Sequence, residues 1–143
     1  MDNRITITIE FDFKGIHFSP SGDFDLDKIM RNNGVIPDLC ATLATLNGID
    51  LYSYEFEIMQ EEEIQFSNPQ GLAAEYMIEG VFDKVGFTQR WHLEQALSAL
   101  QKIATQHMAI ENLNQQPQLK AALMAAFQLG RERPKIHHND FDL

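Results

Sequence analysis

The sequence predicts an α+β domain in which a small antiparallel sheet of three to four strands is covered on one face by helices and followed by a C-terminal antiparallel helix pair. Three observations predict it. Residues 5–13 alternate apolar and polar side chains, residues 51–59 do so again around two tyrosines, and from residue 88 onward apolar residues recur at three- and four-residue spacing. Strands early and helices late, without regular alternation, favour segregated layers over a parallel doubly wound sheet. With 143 residues, 44% hydrophobic and 22% charged, the chain is long enough for one such core. We expect a single domain over residues 1–130 and a tail over residues 131–143.

Taking the elements in order, Ile5, Ile7, Ile9, Phe11 and Phe13 occupy alternate positions, with Thr6, Thr8, Glu10 and Asp12 between them. That is the period of a half-buried strand. After Gly15 the parity shifts to Ile16 and Phe18, so Gly15 marks a bulge or tight turn that keeps both sets on one face. Ser19, Pro20, Ser21 and Gly22 end the strand. Residues 23–30 alternate acid and apolar side chains and are open to an extended reading, but we favour Asp25 as the cap of a short helix through Asn32. Pro37 suits the first turn of a second helix, in which Leu39, Cys40, Leu43 and Leu46 share a face and Asn47 with Gly48 supplies the stop.

From residue 51 to 59 a period of two places Tyr52, Tyr54, Phe56 and Ile58 on one face of a strand and Ser53, Glu55 and Glu57 on the other. Residues 61–63 then turn the chain into a partner strand at 64–66, before a turn at 68–71. Residues 72–78 have the spacing of a short helix closed by Gly80. Thr88 caps a long helix whose apolar stripe runs through Trp91, Leu93, Ala96, Leu97, Leu100, Ile103 and Ala104 and which ends near His107 or Met108. A polar connector at 114–118 leads to a last helix carrying Leu119, Leu123, Met124 and Phe127, with Gly130 as its stop.

Charge narrows the partners. Lys+Arg number 11 against 21 Asp+Glu, a net charge of −10. Residues 1–87 hold 16 acidic and 5 basic residues, whereas residues 88–143 sum to +1, so the acid belongs to the first part. Phosphate backbones are bound by clustered lysine and arginine, so nucleic acid is not an expected partner. Apolar stretches are far shorter than the roughly 20 residues that cross a bilayer, and no leader pattern opens the chain, so no membrane partner is expected either. A single cysteine, Cys40, forms no internal disulfide, in keeping with a cytoplasmic location.

Motifs that would carry chemistry are incomplete. Asp23, Asp25 and Asp27 imitate the opening of a calcium loop, but Lys28 and Gly34 stand where glycine and a bidentate glutamate are needed. None of His17, His92, His107, His137 and His138 pairs at zinc-hydrolase spacing, and His137, His138, Asp140 and Asp142 make at most an adventitious metal site in a tail. Cys40 reads as a buried, inert thiol. No nucleophile elbow, phosphate loop or dinucleotide fingerprint occurs, and no metal or cofactor is expected.

These readings favour a small acidic protein-interaction module without catalysis, whose contact surface is the acidic sheet face of Glu55 and Glu57, the helical pair, or both. Its partner is a basic protein or a second copy, the latter through Ala121, Ala122, Ala125 and Ala126 on the last helix. The alternative is a small-molecule binder or enzyme with a pocket between sheet and helices, lined by Tyr52, Tyr54, Phe56 and Trp91 with His17 or His92. A separate docking peptide is read at Ile136, Phe141 and Leu143, apolar anchors among acids.

Overall fold

The three-dimensional description is a computed structural model, covering residues 2–132. It is a mixed α+β fold. A three-stranded antiparallel sheet of order β4-β1-β5 is built from β1 (Arg4–Thr8), β4 (Ser21–Asp25) and β5 (Gln65–Gln70). Two hairpins accompany it: β2 (Phe11–Phe13) with β3 (Ile16–Phe18), and β6 (Met77–Ile78) with β7 (Val81–Phe82). The helices are α1 (Leu26–Asn33), α2 (Cys40–Leu46), α3 (Tyr54–Glu61), α4 (Lys84–Met108) and α5 (Pro117–Glu132). By their contacts the described residues group into two compact units, one up to Trp91 and one from His92 onward.

Alternation at the start of the chain does what its period demands. Ile5, Ile7, Ile9 and Phe11 are all buried, and together with Phe24, Leu26, Leu43, Phe56, Met59 and Phe87 they form the core of the first unit. The run is interrupted after Thr8, so it supplies two strands instead of one. Lys14 and Gly15 both take positive φ, 51° and 77°, which makes the connection a two-residue hairpin turn and places Asp12 opposite His17 and Phe11 opposite Phe18. The Phe11 and Phe18 rings stack at 4.9 Å. Chain direction changes at Ser19 and Pro20 only; Ser21 already belongs to β4. Helix α1 begins where Asp25 accepts from the Lys28 N–H at 3.2 Å.

The second expected strand is a helix. Residues 54–61 coil as α3, with Ser53 Oγ accepting from the Phe56 N–H at 3.2 Å and Glu55 and Glu57 in the first turn, where the helix dipole favours carboxylates. Phe56 and Met59, three apart, turn inward, while Tyr52 is 98% and Tyr54 73% exposed. Glu55 and Glu57 therefore stand on a helix, and the acidic sheet face does not form.

Other boundaries move for identifiable reasons. Residues 68–70, expected as a turn, lie inside β5, where Asn68 adopts φ 48° at a register shift against β1. Residues 71–76 form a 3-10 turn that leads into β6, and Glu79–Gly80 close the second two-residue hairpin. Helix α2 starts at Cys40, beyond Pro37, because Asp38 accepts from the Cys40 N–H at 3.0 Å. Asp83, not Thr88, opens α4 by accepting from the Gly86 N–H at 2.9 Å. Gly130 lies within α5, as do Arg131 and Glu132.

One polar cluster fastens the first unit. Asn3 is buried, and Asp27 takes its backbone N–H at 3.0 Å, its side-chain amide at 2.8 Å and the Trp91 Nε1–H at 2.9 Å. Asn3 in turn accepts from the Leu72 N–H at 2.7 Å through Oδ1 and from the Leu26 N–H at 2.8 Å through its carbonyl. Gly71 fits beside it because it has no side chain: at φ 69°, a Cβ there would press on Asn3 Oδ1 and sit 2.8 Å from the Asp2 carbonyl.

The second unit is smaller. Leu100 and Ala104 of α4 and Leu113 are buried, and Leu119, Leu123, Met124 and Phe127 of α5 pack on them. The two C-terminal helices thus meet through the stripe the sequence marks.

Partial burial opposes ionisation of Asp27, yet the hydrogen bonds from Asn3 and Trp91 outweigh it and hold the carboxyl below its ordinary range. A lowered folded-state pKa means the group's contribution is complete above its unfolded value near ~4 and is lost as pH falls through the folded value. We expect Asp27→Asn to lose about 1–3 kcal/mol at pH 7. Urea unfolding of both proteins from pH 7 to pH 2 checks this, and the gap between them should narrow below pH ~4.

Candidate functional site

The largest concentration of predicted site residues lies at a cleft of about 540 Å³ in the first unit. Its walls are the segment from His17 to Pro20, the turn from Asn47 to Asp50, and Glu55 of α3. Each wall has a local cause. The hairpin turn sets His17 across from Asp12. Asn47 ends α2 and ties that turn to the sheet, donating through Nδ2 to the carbonyls of Leu43 at 2.8 Å and Ser21 at 3.2 Å. Asp50 accepts from the Tyr52 N–H at 2.9 Å and the Ser53 hydroxyl donates to its carbonyl at 2.6 Å, which starts α3 and turns Glu55 toward the cleft.

The electrostatics are one-sided. Asp50 and Glu55 line the cleft and neither lysine nor arginine does. Behind it, His17 Nδ1 lies 2.8 Å from Asp12 Oδ1 and its Nε2 3.9 Å from Glu10 Oε1. A carboxylate only accepts, so the Asp12 contact calls for an N–H at Nδ1, and the ring's Nε2 lies on the Glu10 side. Ser19 Oγ donates to the same glutamate at 3.3 Å. A histidine oriented by an aspartate is half of a nucleophilic triad, but the hydroxyl here meets Glu10 and not the imidazole, so Ser19 is not activated.

Of the residues named from sequence, the cleft brings together His17 and Glu55, while Tyr52 and Tyr54 stand exposed on the segment that links Asp50 to Glu55. Glu57, also in the first turn of α3 but about 200° round the helix from Glu55, is exposed. Phe56 and Trp91 belong to the core, and His92 is half-buried at the start of the second unit. The aromatic pocket between sheet and helices is therefore not assembled, since its tyrosines face outward and its other rings are packed. Ile136, Phe141 and Leu143 lie outside the described residues, as do His137 and His138. Reading Lys14–Gly15 as a two-residue turn pairs Asp12 with His17 from sequence alone; the contributions of Asn47 and Asp50 depend on packing.

Cys40 is buried, and burial first, then the Asp38 carboxylate, push its thiol above the ordinary range, the opposite of an activated nucleophile. Asp23, Asp25 and Asp27 are separately engaged: Asp23 accepts from the Thr6 hydroxyl, Asp25 caps α1 and Asp27 serves Asn3 and Trp91. Among the described residues no group of three or more His, Cys, Asp or Glu is placed to hold a metal ion, and no helix is long and apolar enough to cross a membrane.

Removing the α3 cap tests how this wall is held. Ser53→Ala is expected to lose about 1 kcal/mol of stability, measured by thermal unfolding, with the Glu55 and Asn47 amide resonances shifting together. Compared with protein-family models, curated proteins and solved structures, the chain has no significant match.

Proposed function

We propose that this chain is a non-catalytic protein-interaction module whose contact surface is the segment from Asp50 to Glu57. The observation that supports it is the placement of two tyrosines in solvent, 98% and 73% exposed, on a stretch that also bears Asp50, Glu55 and Glu57. Leu46 and Leu51 are exposed nearby in sequence. Tyrosine offers a large contact area with few rotors and a polar tip, which is why it is enriched at the centres of interfaces. Carboxylates around it steer a basic surface into place and repel acidic ones. The partner is accordingly a protein with lysines or arginines around an apolar spot, met in a reducing, cytoplasmic setting.

Immobilised chain and a Tyr52→Ser/Tyr54→Ser variant, incubated with cell extract at low and high salt, test this reading. The expected outcome is a basic protein retained by the former, released by salt, and held at least tenfold more weakly by the variant. Equal retention by both chains refutes it.

A second reading rests on the oriented Asp12–His17 pair beside a 540 Å³ cleft, which suits a small cationic ligand. Titration of a small-molecule library would then shift the His17 and Asn47 resonances and leave Tyr52 unmoved.

A further inference from the structure

The cleft of about 540 Å³ in the first unit holds a carboxylate whose bonding is incomplete. Glu55 is half-buried in its wall, yet it makes no hydrogen bond or ion pair among the described residues. Withdrawing such a group from water without a partner costs free energy that an incoming cation returns. Asp50 lines the same cleft with only Oδ1 engaged, by the Tyr52 N–H at 2.9 Å. Phe18, Pro20 and Ile49 make the apolar part of the lining. Phe11 stacks on one face of the Phe18 ring at 4.9 Å and holds it in place.

We propose that this cleft receives the guanidinium group of an arginine on the basic partner. The proposal rests on the interaction-module reading, whose contact surface shares one stretch of chain with the cleft: Asp50 and Glu55 bracket Tyr52 and Tyr54. A partner that covers the tyrosines therefore meets the cleft as well. The lining also selects among cations. A metal ion needs several ligands at once, and among the described residues no group of three or more His, Cys, Asp or Glu is placed to supply them. An organic cation brings its own donors. Ammonium is compact and strongly hydrated, whereas guanidinium is planar, sheds water more readily, lies flat on aromatic surface and donates along its edge to carboxylates. Phe18, Pro20 and Ile49 together with Asp50 and Glu55 offer both kinds of contact. His17, the one basic group of the lining, has Nδ1 turned to Asp12, and Glu10 accepts from Ser19 and Gln65, so the surroundings stay negative.

Magnetic resonance titration of the full chain with the peptide acetyl-Gly-Arg-Gly-amide tests this. Saturable shifts are expected at Asn47, Asp50 and Glu55. The citrulline analogue, of the same shape without the charge, should bind about tenfold more weakly, with the lysine peptide between the two. Glu55→Gln should weaken binding of the arginine peptide by about tenfold, whereas Glu61→Gln, an equal loss of charge at the far end of α3, should leave it unchanged. Ethylguanidinium separates the sources of the group: if it shifts the cleft resonances and the arginine peptide does not, the cleft serves a free small cation and the inference fails. No saturable shift with the arginine peptide, a citrulline or lysine peptide bound as tightly, or a Glu55→Gln effect no larger than that of Glu61→Gln would each overturn it. No partner protein enters this titration, so its failure leaves the Tyr52/Tyr54 capture result standing.

Discussion

The first unit depends on one carboxylate. Asp27 sits in the first turn of α1 and receives hydrogen bonds from Asn3 at the entry to β1 and from Trp91 in α4. Asn3 passes the connection on to Leu72 and Leu26. Segments 3, 27, 72 and 91 are far apart in sequence, and apolar contact alone would leave their mutual register loosely specified. Directional bonds to one ionised group fix it, because each donor left unpaired in that position would lose more than a hydrogen bond is worth in water. Gly71 belongs to the same device, since its left-handed backbone and missing Cβ let the chain pass against Asn3.

What the sequence made legible was local. The alternation from Ile5 to Phe11 needs only neighbours to be read, and so does the Asp25 cap of α1; both are found in place. Around the tyrosines two periods coexist. Tyr52, Tyr54, Phe56 and Ile58 satisfy a period of two, but Phe56 and Met59 satisfy a helical one, and Ser53 followed by two glutamates is a helix start. A strand there would bury two tyrosines, whereas the helix buries Phe56 and Met59 and leaves both hydroxyls in water. Elsewhere the deciding partner is remote. The bulge at Asn68 exists to match β1, more than sixty residues away, and no window around Asn68 contains that information.

The acidic surplus divides by side-chain length. Asp25, Asp38, Asp50 and Asp83 each accept a backbone N–H two or three residues ahead, so these short carboxylates are spent on starting turns and helices. Asp12, Asp23 and Asp27 are taken by His17, Thr6 and the Asn3–Trp91 cluster. Glutamates have one more methylene and cap poorly at that range. Those of α3 make no ion pair among the described residues. Net charge therefore overstates the acid left free at the surface: much of the aspartate is architecture.

Sheet edges are a common route to association, and here both are obstructed. Strand β5 carries Pro69, which has no N–H to give, next to the positive-φ Asn68 that twists the strand out of register. On the opposite edge the Asn47 side-chain amide engages the backbone of Ser21, the first residue of β4, and Asp23 and Asp25 add charge along the same strand. Each edge thus carries features that disfavour pairing with a foreign strand. Beside α3, Tyr52 and Tyr54 stand exposed among Asp50, Glu55 and Glu57, and under the proposed function it is these side chains, not a strand edge, that would meet a partner.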